Sequence, residues 1–132
     1  MNVAESEVMA VVREWIRNFN EGNLEHCVSA YTPDAVMNAK PFGTFTGQRA
    51  IGAYWKLFIE SDTGELAYRN VKLQSQGENT VHLTGEWTTN NGRGLVLLEI
   101  WVKQNDGSWR IVSDNYEVTH GLQEKPSNRG NG

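Results

Sequence analysis

The chain has 132 residues, enough for one domain that buries a core without help from disulfides or metals. Its formal net charge of −4 comes without a block of basic residues, and no apolar run could span a membrane, so we expect neither nucleic acid nor a membrane as a partner. The single cysteine, Cys27, cannot form an internal disulfide, and the first residues, MNVAESEVM, lack the apolar core of a signal peptide, so we expect a cytoplasmic protein with Cys27 packed in a helix.

Three stretches in the first half of the chain favour helices. Ser6 is a residue type that caps helices, and the helix that follows it ends at NEGN. Asn23 starts a shorter helix through LEHCVSAY; TPD then breaks the chain, AVMN is typical of a short strand, and PFGTFTG is typical of a turn before the third helix. The apolar stripes of the first and third helices are Val8, Val11, Val12, Trp15, Ile16 and Phe19, and Ala50, Ile51, Tyr54, Trp55 and Phe58.

From Leu66 onward the pattern changes to strands. The segments AYRNVKLQS, NTVHLTGEWTT, RGLVLLEIWVKQ and SWRIVSDNYEV are separated by QGEN, NNG and NDG, which are turn sequences. We therefore expect an α+β fold, with the three N-terminal helices on the concave face of a curved antiparallel sheet. This single domain is expected to cover residues 1–120, followed by a disordered polar tail over residues 121–132.

A glutamate stands inside the apolar run LVLLEIW, where an unpaired carboxylate would cost several kcal/mol if buried. Both faces of this strand are apolar, so we expect the helices to cover one face and a second subunit to cover the other. Alternation places Leu95, Leu97, Glu99 and Trp101 on one face, and Val96, Leu98, Ile100 and Val102 on the other.

The turn after this strand decides what faces Glu99. A two-residue type I′ turn at Asp106-Gly107 would place Glu99 opposite Asp114, whereas a three-residue loop would place it opposite Ser113. We favour the first register, which also sets Leu97 opposite Tyr116 and Trp101 opposite Val112.

Opposed residues have Cβ atoms roughly 4.5–5.5 Å apart, and two carboxyls that close in an apolar setting cannot both ionise easily. One of the two should hold a proton near neutral pH, which suits general acid–base chemistry. The alternative is a structural Glu99 satisfied by an arginine, Arg13 or Arg110, by a tryptophan N–H or by a tyrosine hydroxyl.

With these elements in place, the chain resembles the nuclear transport factor 2-like superfamily, which includes the ketosteroid isomerases and the polyketide cyclases. The resemblance covers about residues 8–118 and rests on VVREWIRNFNEGNLEHCVSAYTPDAVM, FTGQRAIGAYW and LLEIWVKQNDGSWRIVSDNYEV. It implies a cone-shaped α+β barrel with a pocket between the helices and the concave sheet, often in a homodimer built sheet to sheet.

The resemblance carries over only part of the ketosteroid isomerase machinery. Trp15 stands where that family has an oxyanion-hole tyrosine, and Ala39 or Lys40 stands where it has its general-base aspartate. Glu99 alone keeps a suitable group, at the position of the protonated acid, so we do not expect steroid isomerase activity.

Polyketide cyclases often carry histidine and aspartate near the end of the last strand. Here IVSDNYE offers Asp114 and Tyr116 but no histidine, which puts cyclase activity in doubt. Both family comparisons nevertheless place Glu99, Asp114 and Tyr116 on the pocket side, and we take these three as the candidate catalytic residues. His26, His82 and His120 lie too far apart in sequence to indicate a metal site, and we expect no cofactor.

Aromatic side chains are expected to supply most of the pocket lining, which suits a flat or apolar ligand. The face of Trp87 depends on the loop after it. A two-residue Asn91-Gly92 turn would put it on the face of Val96, and a three-residue loop would put it in the pocket. The expected lining residues are Trp15, Phe19, Tyr31, Asn38, Tyr54, Trp55, Phe58, Trp87, Leu97 and Trp101.

Three functions fit these observations. The first is an isomerase, dehydratase or cyclase that acts on an apolar, ring-bearing substrate, with one carboxyl of Glu99 and Asp114 donating a proton, the other accepting one, and Tyr116 orienting the pair. The second is a non-catalytic binding module for an apolar ligand. The third is a dimeric association domain that uses the apolar outer face of the sheet. Fold alone cannot choose among them.

Overall fold

Three helices and six strands make up residues 1–61 and 65–121, the part of the chain that a computed structural model describes. The tail expected to be disordered lies, from residue 122 onward, outside the described residues. In chain order the elements are α1 (Val3–Asn20), α2 (Leu24–Ser29), β1 (Tyr31–Lys40), β2 (Gly43–Thr46), α3 (Gly47–Glu60), β3 (Ala67–Ser75), β4 (Thr80–Thr88), β5 (Gly92–Lys103) and β6 (Trp109–Gly121).

The start of α1 is set by a capping box rather than by Ser6. The Asn2 side chain accepts a hydrogen bond from the Glu5 backbone N–H at 2.9 Å, and the Glu5 carboxylate accepts from the Asn2 N–H at 3.2 Å. These bonds satisfy free N–H groups one turn earlier than expected, so the prediction that Ser6 caps the helix is wrong. The predicted start of α2 is confirmed, because Asn23 is its N-cap, but the helix ends at Ser29 and Tyr31 already belongs to β1.

The segment TPD was expected from its sequence to break the chain. That prediction is wrong, because the segment lies inside β1. Pro33 falls between Tyr31, which pairs with Ile111, and Val36, which pairs with Ser113, where the ladder is irregular. A proline has no N–H to donate and is tolerated at such an irregularity. The expected turn PFGTFTG likewise contains a strand, β2, which pairs antiparallel with β1.

The six strands form one mixed sheet in the order β2-β1-β6-β5-β4-β3. The antiparallel meander from β3 to β6 is confirmed, and β1 joins it by pairing parallel to β6. Helix α1 packs on β3 and β4, and α3 packs on β1 and β2, so the helices cover the concave side of the curved sheet. The α+β fold class is confirmed. Within the described residues, no helix has both the length and the apolar character to cross a bilayer.

The core lies between the inner faces of the helices and the concave side of the sheet. Cys27 belongs to it, and burial raises the pKa of its thiol to about 12, which makes it a packing residue. The largest side chains without solvent contact are Trp101, Tyr31, Tyr54, Met37, Ile51, Leu83 and Ile111.

Glu99 and Asp114 are paired across β5 and β6 as expected. The prediction of a two-residue turn at Asp106-Gly107, from which this pairing was derived, is wrong. The loop has three residues, 105–107: the Gln104 N–H donates to the Ser108 carbonyl at 2.7 Å, and Gly107 has a φ of 87°. A three-residue loop alone would have set Ser113 opposite Glu99.

One extra residue in β6 restores the pairing. Trp101 pairs with Ile111 and Ile100 pairs with Ser113, so Val112 has no partner in β5 and forms a β-bulge. The longer loop moves the register by one residue and the bulge moves it back, and the two departures cancel at Glu99. Trp101 therefore faces Ile111, where Val112 was expected.

A second bulge reverses the faces of β5 before Glu99. Val96 pairs with Tyr116 and Leu98 with Asn115, which leaves Leu97 as the extra residue. As a result Val96 is buried on the concave side, while Leu95 is 39% exposed. The expectation that Leu95 and Leu97 face inward and Val96 outward is therefore wrong, whereas Leu98, Ile100 and Val102 keep the outer face.

Candidate functional site

A cavity opens between α1, α3 and the concave side of the sheet. The empty space among its side chains is at most about 740 Å³, a value that includes open space at the mouth. The space open to the centre of a water molecule is about 60 Å³, which is room for several water molecules. Of the residues expected from the sequence, the lining contains Glu99, Asp114, Tyr116, Trp15, Phe19, Tyr31, Trp55, Phe58, Trp87 and Trp101.

Three expected lining residues lie elsewhere. The Asn38 side chain donates to Asn115 Oδ1 at 2.6 Å, which places it with the outer-face residues of β6. Tyr54 is buried behind the lining, and its hydroxyl is hydrogen-bonded to that of Tyr116. Leu97 occupies the bulge of β5.

Trp87 lies in the cavity wall, although its loop has two residues. The Thr89 N–H donates to the Gly92 carbonyl at 2.8 Å, so Asn90 and Asn91 form the loop and Trp87 pairs with Gly94. Neither predicted loop is present, because the two-residue turn lies one residue earlier than Asn91-Gly92. Trp87 lines the cavity, and so does Val96, which the bulge in β5 turns inward. A Cβ on Gly94 would collide with the Glu117 carbonyl, which accepts the Trp87 indole N–H at 3.1 Å.

Glu99 is 3% exposed, and both of its carboxyl oxygens are hydrogen-bonded. Oε1 accepts from the Trp101 indole N–H at 2.9 Å, and Oε2 accepts from the Tyr68 hydroxyl at 2.6 Å. Within residues 1–61 and 65–121 no basic side chain forms an ion pair with it, so neither Arg13 nor Arg110 is its partner. Of the structural partners considered from the sequence, the tryptophan N–H and the tyrosine hydroxyl are present.

Asp114 is 5% exposed and has one bonded and one open oxygen. Oδ2 accepts from the Tyr31 hydroxyl at 2.7 Å, and the Trp55 indole N–H donates to that hydroxyl at 3.0 Å. Among the described residues Oδ1 has no hydrogen-bond partner, yet no fully buried side-chain polar atom there is left unsatisfied. Oδ1 therefore lies at the cavity surface.

The surroundings of the two carboxyls push their pKa values apart. Burial, followed by the charge of Asp114, raises the pKa of Glu99 to about 8, against the hydrogen bonds from Tyr68 and Trp101. Burial raises the pKa of Asp114 to about 6, against the hydrogen bond from Tyr31. The two titrate as a pair, and near neutral pH that pair holds one proton.

The phenols that contact the carboxyls are Tyr31 and Tyr68, whereas the hydroxyl of Tyr116 is bonded to that of Tyr54. Tyr68 was not expected in the site. The sequence signal that could have identified Tyr68 was an aromatic residue in an otherwise polar segment, AYRN. In the structure Asn70, two residues later, takes a positive φ of 52° within an irregular part of β3. The other lining residues missed from the sequence are Val12, Leu66, Thr89, Val96, Ile111 and Val118.

No metal site accompanies the carboxyl pair in the described part of the chain. There, no group of three or more histidine, cysteine, aspartate or glutamate side chains is placed to hold an ion. The polar groups of the described lining are the two carboxyls, the phenols, the indole N–H groups and the Thr89 hydroxyl.

Solved structures share this fold at low sequence identity. A ketosteroid isomerase-like protein from Erwinia carotovora atroseptica superposes with a TM-score of 0.76 at 14% identity, covering 91% of this chain and 99% of that one. An NTF2-like protein of unknown function from Pseudomonas putida gives 0.71 at 16%, covering 94% and 92%. A putative calcium/calmodulin-dependent protein kinase II association domain from Xanthomonas campestris gives 0.74 at 15%, covering 86% of each chain.

Sequence comparison adds the family. No curated protein matches the chain. A family model described as a SnoaL-like domain matches residues 12–113, and the solved neighbours include proteins described as NTF2-like and as ketosteroid isomerase-like. The chain is therefore a member of the SnoaL-like domain family, within the nuclear transport factor 2-like superfamily.

Proposed function

We propose that the cavity binds an apolar, ring-bearing small molecule and that Glu99 and Asp114 exchange a proton with it, in an isomerisation, a dehydration or an aldol-type cyclisation. The observation that carries this proposal is the pairing of two buried carboxyls in an aromatic cavity whose described lining has no basic side chain. Two carboxyls with separated pKa values are a common way to provide an acid and a base at one pH. The superfamily includes isomerases and cyclases, which agrees with this chemistry.

The two carboxyls take different roles in this proposal. Asp114 is the base, because its Oδ1 lies open to the cavity and its pKa is the lower of the two. Glu99 stores the proton on Oε2, since Oε1 already accepts from the donor-only indole of Trp101. A protonated Oε2 donates to the Tyr68 oxygen and frees the Tyr68 hydrogen for a ligand oxygen. Tyr68 is thus the group that delivers the acidity of Glu99 to the ligand.

Tyr116 has a different place from the one expected. Its hydroxyl is engaged by Tyr54, and its ring stacks on Trp55 with centroids 5.8 Å apart and an interplanar angle of 16°. We therefore assign Tyr116 to the apolar wall that receives the ring of the ligand.

Proton exchange at carbon tests this proposal without knowledge of the natural substrate. Ring-bearing ketones, with and without an amino group, are incubated with the protein in D₂O, and NMR follows replacement of the hydrogens next to the carbonyl. Wild type should accelerate exchange for members that bind. Asp114→Asn should lose about 100-fold or more of that acceleration, and Glu99→Gln a smaller factor.

The control for charge is Glu78→Gln, because Glu78 is exposed in the turn between β3 and β4 and forms no ion pair with the described residues. It should exchange ketone hydrogens at the wild-type rate. Acceleration that survives unchanged in Asp114→Asn would contradict the base assignment.

A binding module without turnover is the second candidate. It is favoured by the observation that both oxygens of Glu99 already accept hydrogen bonds from the protein. In that case a ligand at 100 times its dissociation constant should raise the free energy of unfolding by roughly 2.7 kcal/mol, and the melting temperature should rise with it. No ketone of the panel should then exchange hydrogen.

We also propose that the chain forms a homodimer through the outer face of β5, defined by Leu98, Ile100 and Val102. These aliphatic side chains are only half-buried, and the exposed Leu95 adjoins them. The fold is shared with a putative association domain, which agrees with self-assembly. Sedimentation equilibrium should give a dimer for wild type and a monomer for Ile100→Lys, with Glu78→Gln still dimeric. A monomeric wild type at high micromolar concentration would contradict the proposal and also the association-domain hypothesis.

A further inference from the structure

The hydrogen-bond directions around Asp114 are fixed by the indole of Trp55. An indole N–H can only donate, so the Tyr31 oxygen accepts from Trp55 and its own hydrogen is committed to Asp114 Oδ2. Nothing in this chain of bonds supplies a donor to Oδ1. The polar position that the cavity leaves open is therefore an acceptor, and a ligand must bring a donor to fill it.

The charge at this position is uncompensated. Glu99 and Asp114 form no ion pair within the described ranges, and the described lining contains no lysine, arginine or histidine. A buried carboxylate without a counter-ion is costly, and a cation placed beside it would remove that cost. A ligand anion in the same place would add a second negative charge and bind poorly.

The aromatic rings that line the same cavity as Asp114 also suit a cation. The nearly parallel rings of Trp55 and Tyr116 form one wall of the cavity, and Trp87 meets Tyr116 edge to face with centroids 6.1 Å apart. Trp15 and Phe19 continue the aromatic lining on α1. A cation within about 6 Å of a ring centroid is attracted by the negative face of the ring, most strongly when it is desolvated.

We infer that the ligand of this cavity is a ring-bearing amine, whose protonated nitrogen donates a hydrogen bond to Asp114 Oδ1 while its rings pack among the aromatic side chains. The inference rests on the small-molecule cavity of the proposed function but not on turnover. It narrows the class of ligand from any apolar ring compound to cations that carry an N–H group. A neutral ketone can still use the Tyr68 hydroxyl, but it leaves Oδ1 unfilled.

A series of naphthalene compounds with one variable group tests the inference. The members are 2-naphthylmethylamine, 2-naphthylmethanol, 2-acetylnaphthalene and 2-naphthoate, which present a charged donor, a neutral donor, an acceptor and an anion on the same ring system. Isothermal titration calorimetry at about pH 7 measures each dissociation constant. We expect the amine to bind about tenfold more tightly than the alcohol and the ketone, and about 100-fold more tightly than the carboxylate.

Asp114→Asn should reverse this preference. The asparagine oxygen can accept from Tyr31, which turns the amide NH₂ to the cavity and converts the open acceptor into a donor. The ketone should then bind at least as tightly as the amine. Glu78→Gln removes the same charge from an exposed turn and should keep the wild-type order of affinities.

The wild-type series is decisive even if Asp114→Asn fails to fold. A ketone, alcohol or carboxylate that matches or exceeds the amine would overturn the inference, whereas binding of the neutral ketone or alcohol would leave the proposed function standing. Tight amine binding with no hydrogen exchange in any ketone would support the inference and reject the enzyme in favour of the binding module. Absence of binding by all four compounds would count against both the inference and the cavity function.

Discussion

Among the residues that the structure describes, two glutamates accept a hydrogen bond from a tryptophan indole, and their pKa values shift in opposite directions. Glu7 on α1 accepts from Trp109 at 2.8 Å and from Lys103 at 3.4 Å; these two bonds, the tryptophan first, lower its pKa. Glu99 accepts from Trp101 at almost the same distance, 2.9 Å, yet its pKa is raised, chiefly by burial. The indole bond is therefore not what distinguishes the two carboxyls. Glu99 is buried beside the charge of Asp114, whereas Glu7 is in contact with solvent and with Lys103.

The largest difference between the two glutamates is expected when the indole N–H donor of each is removed in turn. Trp101→Phe deletes a fully buried N–H donor and leaves a gap beside Glu99, so we expect a loss of about 2–4 kcal/mol in the free energy of unfolding at about pH 8. Trp109→Phe should cost clearly less, because water and Lys103 remain available to Glu7. Urea unfolding of both variants and wild type measures the difference. Equal losses would show that packing, rather than the carboxyl partner, sets the cost.

The two glutamates should also differ in how they make the free energy of unfolding depend on pH. The native pKa values of Glu99 and Asp114 are both raised. At a pH above the ordinary carboxyl pKa, the native protein therefore still holds protons on these side chains that the unfolded chain has released. The native state thus binds more protons, and the free energy of unfolding should fall as the pH rises from about 5 to about 8, by on the order of 2 kcal/mol.

Glu99→Gln removes most of that fall, so its free energy of unfolding should be flatter with pH and should exceed that of wild type near pH 8. Glu7 has the opposite sign: its lowered pKa stabilises the fold above the ordinary glutamate pKa and loses effect as the pH drops toward the native value. Glu7→Gln should therefore leave the slope between about pH 5 and pH 8 unchanged. A wild-type stability that rises across this window would refute the assignment of a proton to the pair.

The smallest effect is expected from the phenols. Tyr68→Phe removes the donor to Glu99 Oε2 and should raise the pKa of Glu99 further, with a stability loss on the order of 1 kcal/mol above that pKa. Tyr31→Phe should do the same for Asp114 and leave Glu99 largely unaffected. Carbon-13 NMR titration of the side-chain carboxyls follows both groups. A lowered pKa of Glu99 in Tyr68→Phe would contradict the described direction of the hydrogen bond.

Local patterns were enough to predict much of the fold. The helical stripes on α1 and α3 and the alternation in the last four strands depend on neighbouring residues, and the structure confirms these elements. The parallel pairing of β1 with β6 brings together segments far apart in the chain, and no local pattern encodes it. The prediction of a chain break at Pro33 was wrong for the same reason, because a proline is tolerated there through an irregularity in that distant pairing.

The site was predictable only in part. The facing of Glu99 and Asp114 was correct although the turn was not, since the bulge at Val112 compensated the longer loop. Neither that bulge nor the one at Leu97 has a signature in its own residues. Tyr68 was missed because its strand is irregular at Asn70, so alternation could not be counted across it.

The two bulges also constrain how this chain can be compared with its relatives. Leu97 and Val112 lie on either side of the Glu99–Asp114 pair in the hairpin, and each contributes one residue beyond a regular ladder. A relative that lacks one of them would be one residue shorter, with its carboxyls still opposed. An alignment without a gap would then place a residue of the wrong face in the column of Glu99 or Asp114. Gaps between positions 97 and 112 should therefore be assigned from strand pairing, and evolutionary loss or gain of this carboxyl pair should be counted only after that correction.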